Sequence, residues 1–235
     1  MPQNSSDFIM GDVDERFTIL LNQLRTGDKE ERLDALFEIR GIRKTKKFIS
    51  TFLEQLIEYA KNDKDEEIRI WSLLAFSGCR NQAVTVDAMI EILLNDESAK
   101  VRSNSGNQIR HQPKNQQFIE PLVQVLSDEE EDLDVRHSAC FALAWQQGGD
   151  KELHTLIYAS KIEDELGYSQ HPEMRQRLKL KQLPQRIREY AAYGLSRLAA
   201  ESEDIGVQNL SRDTIDSLQR EGKISEFTHF HPNYS

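Results

Sequence analysis

The residues that could do chemistry in this chain of 235 residues are few and scattered. Of the six histidines only His229 and His231 stand close together, and a metal centre needs clustered ligands. No histidine is followed by glutamate. The two cysteines, Cys79 and Cys140, fall inside helical patterns, where a thiol commonly serves as a small buried hydrophobe. Neither GxxxxGK[ST] nor GxGxxG occurs, and Gly148-Gly149 reads as a turn. No catalytic residue, metal or cofactor is therefore expected. Arginines at regular intervals and the aromatic residues near them remain to be explained.

The arginines define a repeat. Five segments align on an arginine with a small residue three later and an apolar one seven later: 32-RLDALFEI-39, 69-RIWSLLAF-76, 102-RSNSGNQI-109, 136-RHSACFAL-143 and 188-REYAAYGL-195. The small position holds Ala35, Ser72, Ser105, Ala139 and Ala191; the apolar one holds Ile39, Phe76, Ile109, Leu143 and Leu195. Successive arginines lie 37, 33, 34 and 52 residues apart, so the last interval carries an insertion of roughly eighteen residues beyond a unit of ~34. Between the aligned segments run stretches with their own helical stripes: 48-FISTFLEQLIEYA-60, 86-VDAMIEILL-94, 118-FIEPLVQVL-126 and 153-LHTLIYAS-160. Acidic or Asn-containing turns follow the first three, and such residues favour helix starts. The unit is thus helix, short polar turn, helix.

Small and apolar positions fit stacking, because a single repeat cannot bury its faces alone. The arginines Arg32, Arg69, Arg102, Arg136 and Arg188 are read as scaffold. Asp63 and Asp96 stand six residues before Arg69 and Arg102, which suggests ladders of charge-assisted hydrogen bonds within or between repeats.

Bulk numbers agree with an extended helical array. The chain is 38% hydrophobic and 30% charged, and its net charge is −10. That charge argues against nucleic acid, which needs a basic footprint, and against adsorption to anionic membranes. Basic protein partners remain open. The opening MPQNSSDFIMGD has no basic region followed by an apolar run, so no signal peptide is expected. The longest strongly apolar stretch, 70-IWSLLAF-76, is too short to span a bilayer. With two cysteines and no disulfide framework, a cytoplasmic protein is expected.

Between about residues 27 and 200 this pattern resembles HEAT-like repeats, in particular the short bacterial kind whose second helix begins Val-Arg and carries small residues. The resemblance implies an all-α fold, a right-handed α-α superhelix of about five two-helix units, with second helices on the concave face. Unit three departs from the pattern: Asn104, Gly106 and Asn107 weaken its helix.

Positions two, five and nine after each arginine share a stripe separate from the core stripe. The resemblance implies that it faces the concave groove. It contains Asp34, Phe37 and Gly41; Trp71, Leu74 and Gly78; Asn104, Asn107 and His111; Ser138, Phe141 and Trp145; Tyr190, Tyr193 and Arg197. Rings flanking a polar centre are typical anchors for a protein or peptide. Partner contacts are expected from Trp71, Asn104, Asn107, His111, Phe141, Trp145, Tyr190 and Tyr193.

Residues 1–11 are expected to be poorly ordered, 12–224 to form the repeat domain with an insertion at about 165–184, and 225–235 to form a flexible tail. The acidic run 128-DEEEDLD-134 reads as a solvated turn; the basic 175-RQRLKLKQLPQRIR-188 reads as an amphipathic addition. The favoured function is a non-enzymatic scaffold or adaptor. Segments such as 188-REYAAYGLSRLA-199 also look like suspected immunity proteins encoded beside toxins, which implies a basic toxin as partner. Phycobilin lyases use such repeats too, which would give Cys79 or Cys140 a role in chromophore transfer. Oligomeric state is left open by the sequence.

Overall fold

A computed structural model describes residues 5–42, 46–79, 82–146, 149–160 and 187–224. The described residues are all-α, with no strand among them. In chain order the helices are α1 (Ser5–Thr26), α2 (Lys29–Ile42), α3 (Lys46–Asn62), α4 (Glu66–Phe76), α5 (Ala83–Asn95), α6 (Ala99–Ile109), α7 (Ile119–Ser127), α8 (Leu133–Leu143), α9 (Gly149–Ala159), α10 (Ile187–Glu201) and α11 (Ile205–Arg220). A 3-10 turn at Gln116–Phe118 leads into α7. All five aligned arginine segments lie in the even-numbered helices α2 to α10.

Local chemistry sets many of the boundaries. Asp65, Ser98, Asp132 and Asp204 each accept a hydrogen bond from the freed amides of the helix that follows, which is the preferred way to satisfy those donors. Before α2, Asp28 and Glu31 exchange side-chain and backbone bonds, each 3.0 Å long, closing a capping box. After α11 the chain turns at Gly222, whose φ of +68° suits glycine.

The chain forms two compact units, Met1–Ile92 and Leu93–Ser235, divided inside α5. In the first, α1 packs on α2, α2 on α4 and α3 on α4, around Leu20, Leu24, Leu36, Leu56, Ile68, Leu73 and Phe76. In the second, α6, α8 and α10 form a row. Helix α7 packs on α8 and α9, and α9 packs on α10 and α11. Here the core includes Val101, Phe118, Leu122, Val135, Leu156 and Ile187. The small and apolar repeat positions are all buried.

Helix α1 begins at Ser5. The weakness expected in unit three does not prevent α6 from running its full course. Gly106 instead marks the closest approach of α6 to α8. A Cβ there would lie 2.9 Å from Ser138 Cβ and 3.2 Å from its carbonyl carbon. Gly194 plays the same part in α10, where a Cβ would lie 2.9 Å from Ala144 Cβ. The insertion at about 165–184 and the tail with His229 and His231 lie outside the described residues. No helix among the described residues is long and apolar enough to cross a membrane.

Candidate docking face

The predicted stripe is mostly at the surface, and its rings meet one another. In the first unit Phe37, 63% exposed, touches Trp71 edge-on with centroids 5.9 Å apart. The Arg40 guanidinium lies 5.7 Å from the Trp71 ring centroid. In the second unit α8 and α10 bring four half-buried rings together. Phe141 and Tyr190 lie 4.6 Å apart, and Trp145 and Tyr193 lie 5.6 Å apart. His137 meets Tyr190 edge-on at 6.0 Å. Contacts of this kind add about 0.5–1.5 kcal/mol per pair beyond area burial, so the row is held in shape before any partner arrives.

The polar centre of the stripe is less uniform. Asn104 is half-buried and turns its amide to the Lys100 carbonyl at 2.8 Å, along its own helix. Asn107 is half-buried and His111 exposed. Arg110, absent from the predicted site, sits over Phe141 with its guanidinium carbon 4.2 Å from the ring centroid. Its Nη2 donates to His111 Nε2 at 2.8 Å, which requires that nitrogen to be unprotonated. Burial pulls Arg110 below its ordinary value, against the opposing influence of Tyr190 and Tyr193. Burial pushes Tyr193 up, so its hydroxyl stays a donor at neutral pH.

A sequence signal for Arg110 exists. Arg40 and Arg110 stand eight residues after Arg32 and Arg102, and each covers a ring of the next even-numbered helix. The side chain comes from the helix end, off the stripe, and reaches its ring along a long apolar stem.

Two stripe positions do not face outward. Ser138 is buried under Gly106 and donates to the Val135 carbonyl at 2.8 Å. Arg197 is 2% exposed. Its Nε and Nη2 donate to the carbonyls of Ala144 (2.6 Å) and Gln146 (2.8 Å), and it forms an ion pair with Glu152, itself wholly buried. Arg197 therefore closes the C-terminal turn of α8 rather than lining a groove. Gln146 extends this tie, donating to the Ile109 carbonyl and accepting from the Asn115 amide.

The ladder arginines behave as a clasp with two ends. Backward, Arg69 Nη1 reaches the Asp63 carbonyl at 2.9 Å and Arg102 Nη1 the Asp96 carbonyl at 2.7 Å. The expected six-residue spacing is real, but the acceptor is backbone. Forward, Arg32 pairs with the Asp63 carboxylate, and Arg102 grips Glu131 with two bonds of 3.0 and 2.6 Å. Arg136 Nε donates to the Leu126 carbonyl at 3.3 Å. Arg188 is buried and its Nε meets no hydrogen-bond partner; the position six residues before it lies outside the described residues.

Both thiols are buried, and Cys140 Sγ lies 3.6 Å from the Ile187 carbonyl oxygen as its donor. Among the described residues no group of three His, Cys, Asp or Glu is placed to hold a metal ion. No protein-family model matches the chain, and a search of the curated proteins finds no match.

Proposed function

We propose that the chain is a cytoplasmic, non-enzymatic scaffold: a HEAT-like right-handed solenoid of about five two-helix units that docks a protein partner on its aromatic stripe. The observation that carries this reading is the two ring pairs, Phe141 with Tyr190 and Trp145 with Tyr193, formed where α10 meets α8 and the turn after it. Rigid amphipathic rings that keep part of their area in water are what interface hot spots are made of. The stacking of α6, α8 and α10 in one row supports the solenoid reading. A net charge of −10 steers a partner whose overall surface is basic.

That same charge favours the toxin-neutralising form of this function, in which the partner is a basic toxin. No comparable observation favours chromophore transfer, since both candidate thiols are buried. The test is affinity capture with wild type and with Trp71→Ala/Trp145→Ala/Tyr190→Ala, both shown to be folded by circular dichroism. The reading expects a partner held by the wild type alone and cross-linked to α8 or α10. Equal capture by both proteins, or cross-links only elsewhere, refutes it.

A further inference from the structure

Several of the described arginines that lie at least partly out of water are answered by a carboxylate. Arg32, Arg102 and Arg197 each hold a carboxylate, those of Asp63, Glu131 and Glu152. Arg110, over Phe141 in the second unit, is not so answered. It is half-buried, it stacks on Phe141, its hydrogen bond goes to the neutral ring of His111, and no described carboxylate pairs with it. Acidic residues outnumber basic ones in this chain, 40 to 30, so a shortage of carboxylates does not explain this.

Resting on the docking reading above, we propose that Arg110 receives the carboxylate of an aspartate or glutamate side chain, presented by a protein partner between apolar residues that pack on Phe141, Trp145, Tyr190 and Tyr193. The Arg110 guanidinium carbon lies 4.2 Å from the Phe141 ring centroid, and a guanidinium carries its N–H donors as a planar fork. That fork matches the two oxygens of a carboxylate. Desolvating a cation without a counter-ion is costly, and an incoming anion offsets that cost. The bordering rings supply the apolar contacts that exclude water from the pair.

The surroundings select this occupant over other anions. Phosphorylated segments are usually recognised by clusters of arginines, whereas among the described residues Arg110 alone is placed over the rings of the second unit. A nucleic acid would meet a net charge of −10, which opposes its phosphates. Chain-terminal carboxylates are typically captured by backbone amides, and the groups here are side chains. Long-range steering of a basic partner and local capture of one of its acidic side chains are compatible, because screening confines the first to approach.

The test uses the full chain as bait for a random linear-peptide phage library, followed by fluorescence-anisotropy titration of a selected peptide. The expected peptides carry Asp or Glu between aromatic or aliphatic residues. Replacing that acid by its amide, or Arg110→Gln in the protein, weakens binding by about tenfold or more. The two changes together cost little more than either alone. Arg110→Lys, which keeps the charge without the planar fork, falls between and serves as the second variant if the glutamine protein is poorly folded. Peptides that need Trp145 and Tyr190 but neither an acid nor Arg110 overturn this inference and leave the docking face standing. Peptides that need none of these residues, or no enrichment at all, overturn both. Self-association lost in Arg110→Gln, read by sedimentation, identifies a second copy as the occupant and also overturns the proposal.

Discussion

Gly106 of α6 and Ser138 of α8 approach so closely that one added methyl at Gly106 would press on both the side chain and the backbone of Ser138. Alanine normally improves a helix interior by about 1 kcal/mol over glycine. Here the strain of a methyl forced into a packed contact, about 1–3 kcal/mol, outweighs that gain. Gly106→Ala is expected to lower the urea midpoint followed by circular dichroism, and Gly106→Ala/Ser138→Gly to recover part of the loss. A single variant more stable than wild type would disprove the close contact.

Glu152 and Arg197 form a buried pair that also closes α8 through two carbonyls. Removing one partner strands the other charge, at a cost of about 3–5 kcal/mol. Glu152→Ala should therefore be far less stable than Arg197→Met/Glu152→Leu, which removes both charges. Denaturant titration of the two proteins ranks them, and the opposite order would show that the pair carries little.

Arg102 makes a fork to Glu131 and a third bond back to Asp96. Lysine keeps the charge and loses the geometry. Arg102→Lys is expected to cost about 1–2 kcal/mol, with amide exchange quickening around residues 96–101. Unchanged exchange there would show that point charge alone holds the turn.

Asp65 caps α4 and pairs with Lys29 at 3.0 Å. Burial raises the affinity of its carboxyl for a proton, but Lys29 and the amides of Glu67 and Ile68 outweigh burial and hold it below the ordinary aspartate value. A depressed value means that its contribution is complete above about pH 4 and is lost as the pH falls through the folded value. Asp65→Asn keeps a capping oxygen without the titration. Wild type should thus lose its advantage over Asp65→Asn as urea unfolding is moved from neutral pH to about pH 3. A constant difference across that range would exclude Asp65 as the source.

Local periodicity made much of this legible. The arginine landmarks located α2, α4, α6, α8 and α10, and the intervening stripes located α3, α5, α7 and α9, because both patterns repeat within a few turns of helix. Helices α1 and α11 carry no such landmark and were not singled out. Gly106 was misread because propensity describes a helix alone, whereas its role is set by Ser138 on another helix. Arg197 shared the stripe by angle, but its acceptors lie 45 to 53 residues earlier in the chain, beyond what a local pattern encodes. Arg110 was passed over because it follows the last residue of α6 and reaches Phe141 from beside the stripe.

The forward half of the arginine clasp also has a direction in time. Arg32 waits 31 residues for Asp63, and Arg102 waits 29 for Glu131. On a ribosome, where the chain emerges from its N-terminal end, each of these arginines is synthesised about one repeat before the carboxylate that secures it. A nascent chain stopped at Ser127 holds Arg102 but not Glu131, so the turn that Arg102 secures stays half fastened until the next repeat brings its carboxylate.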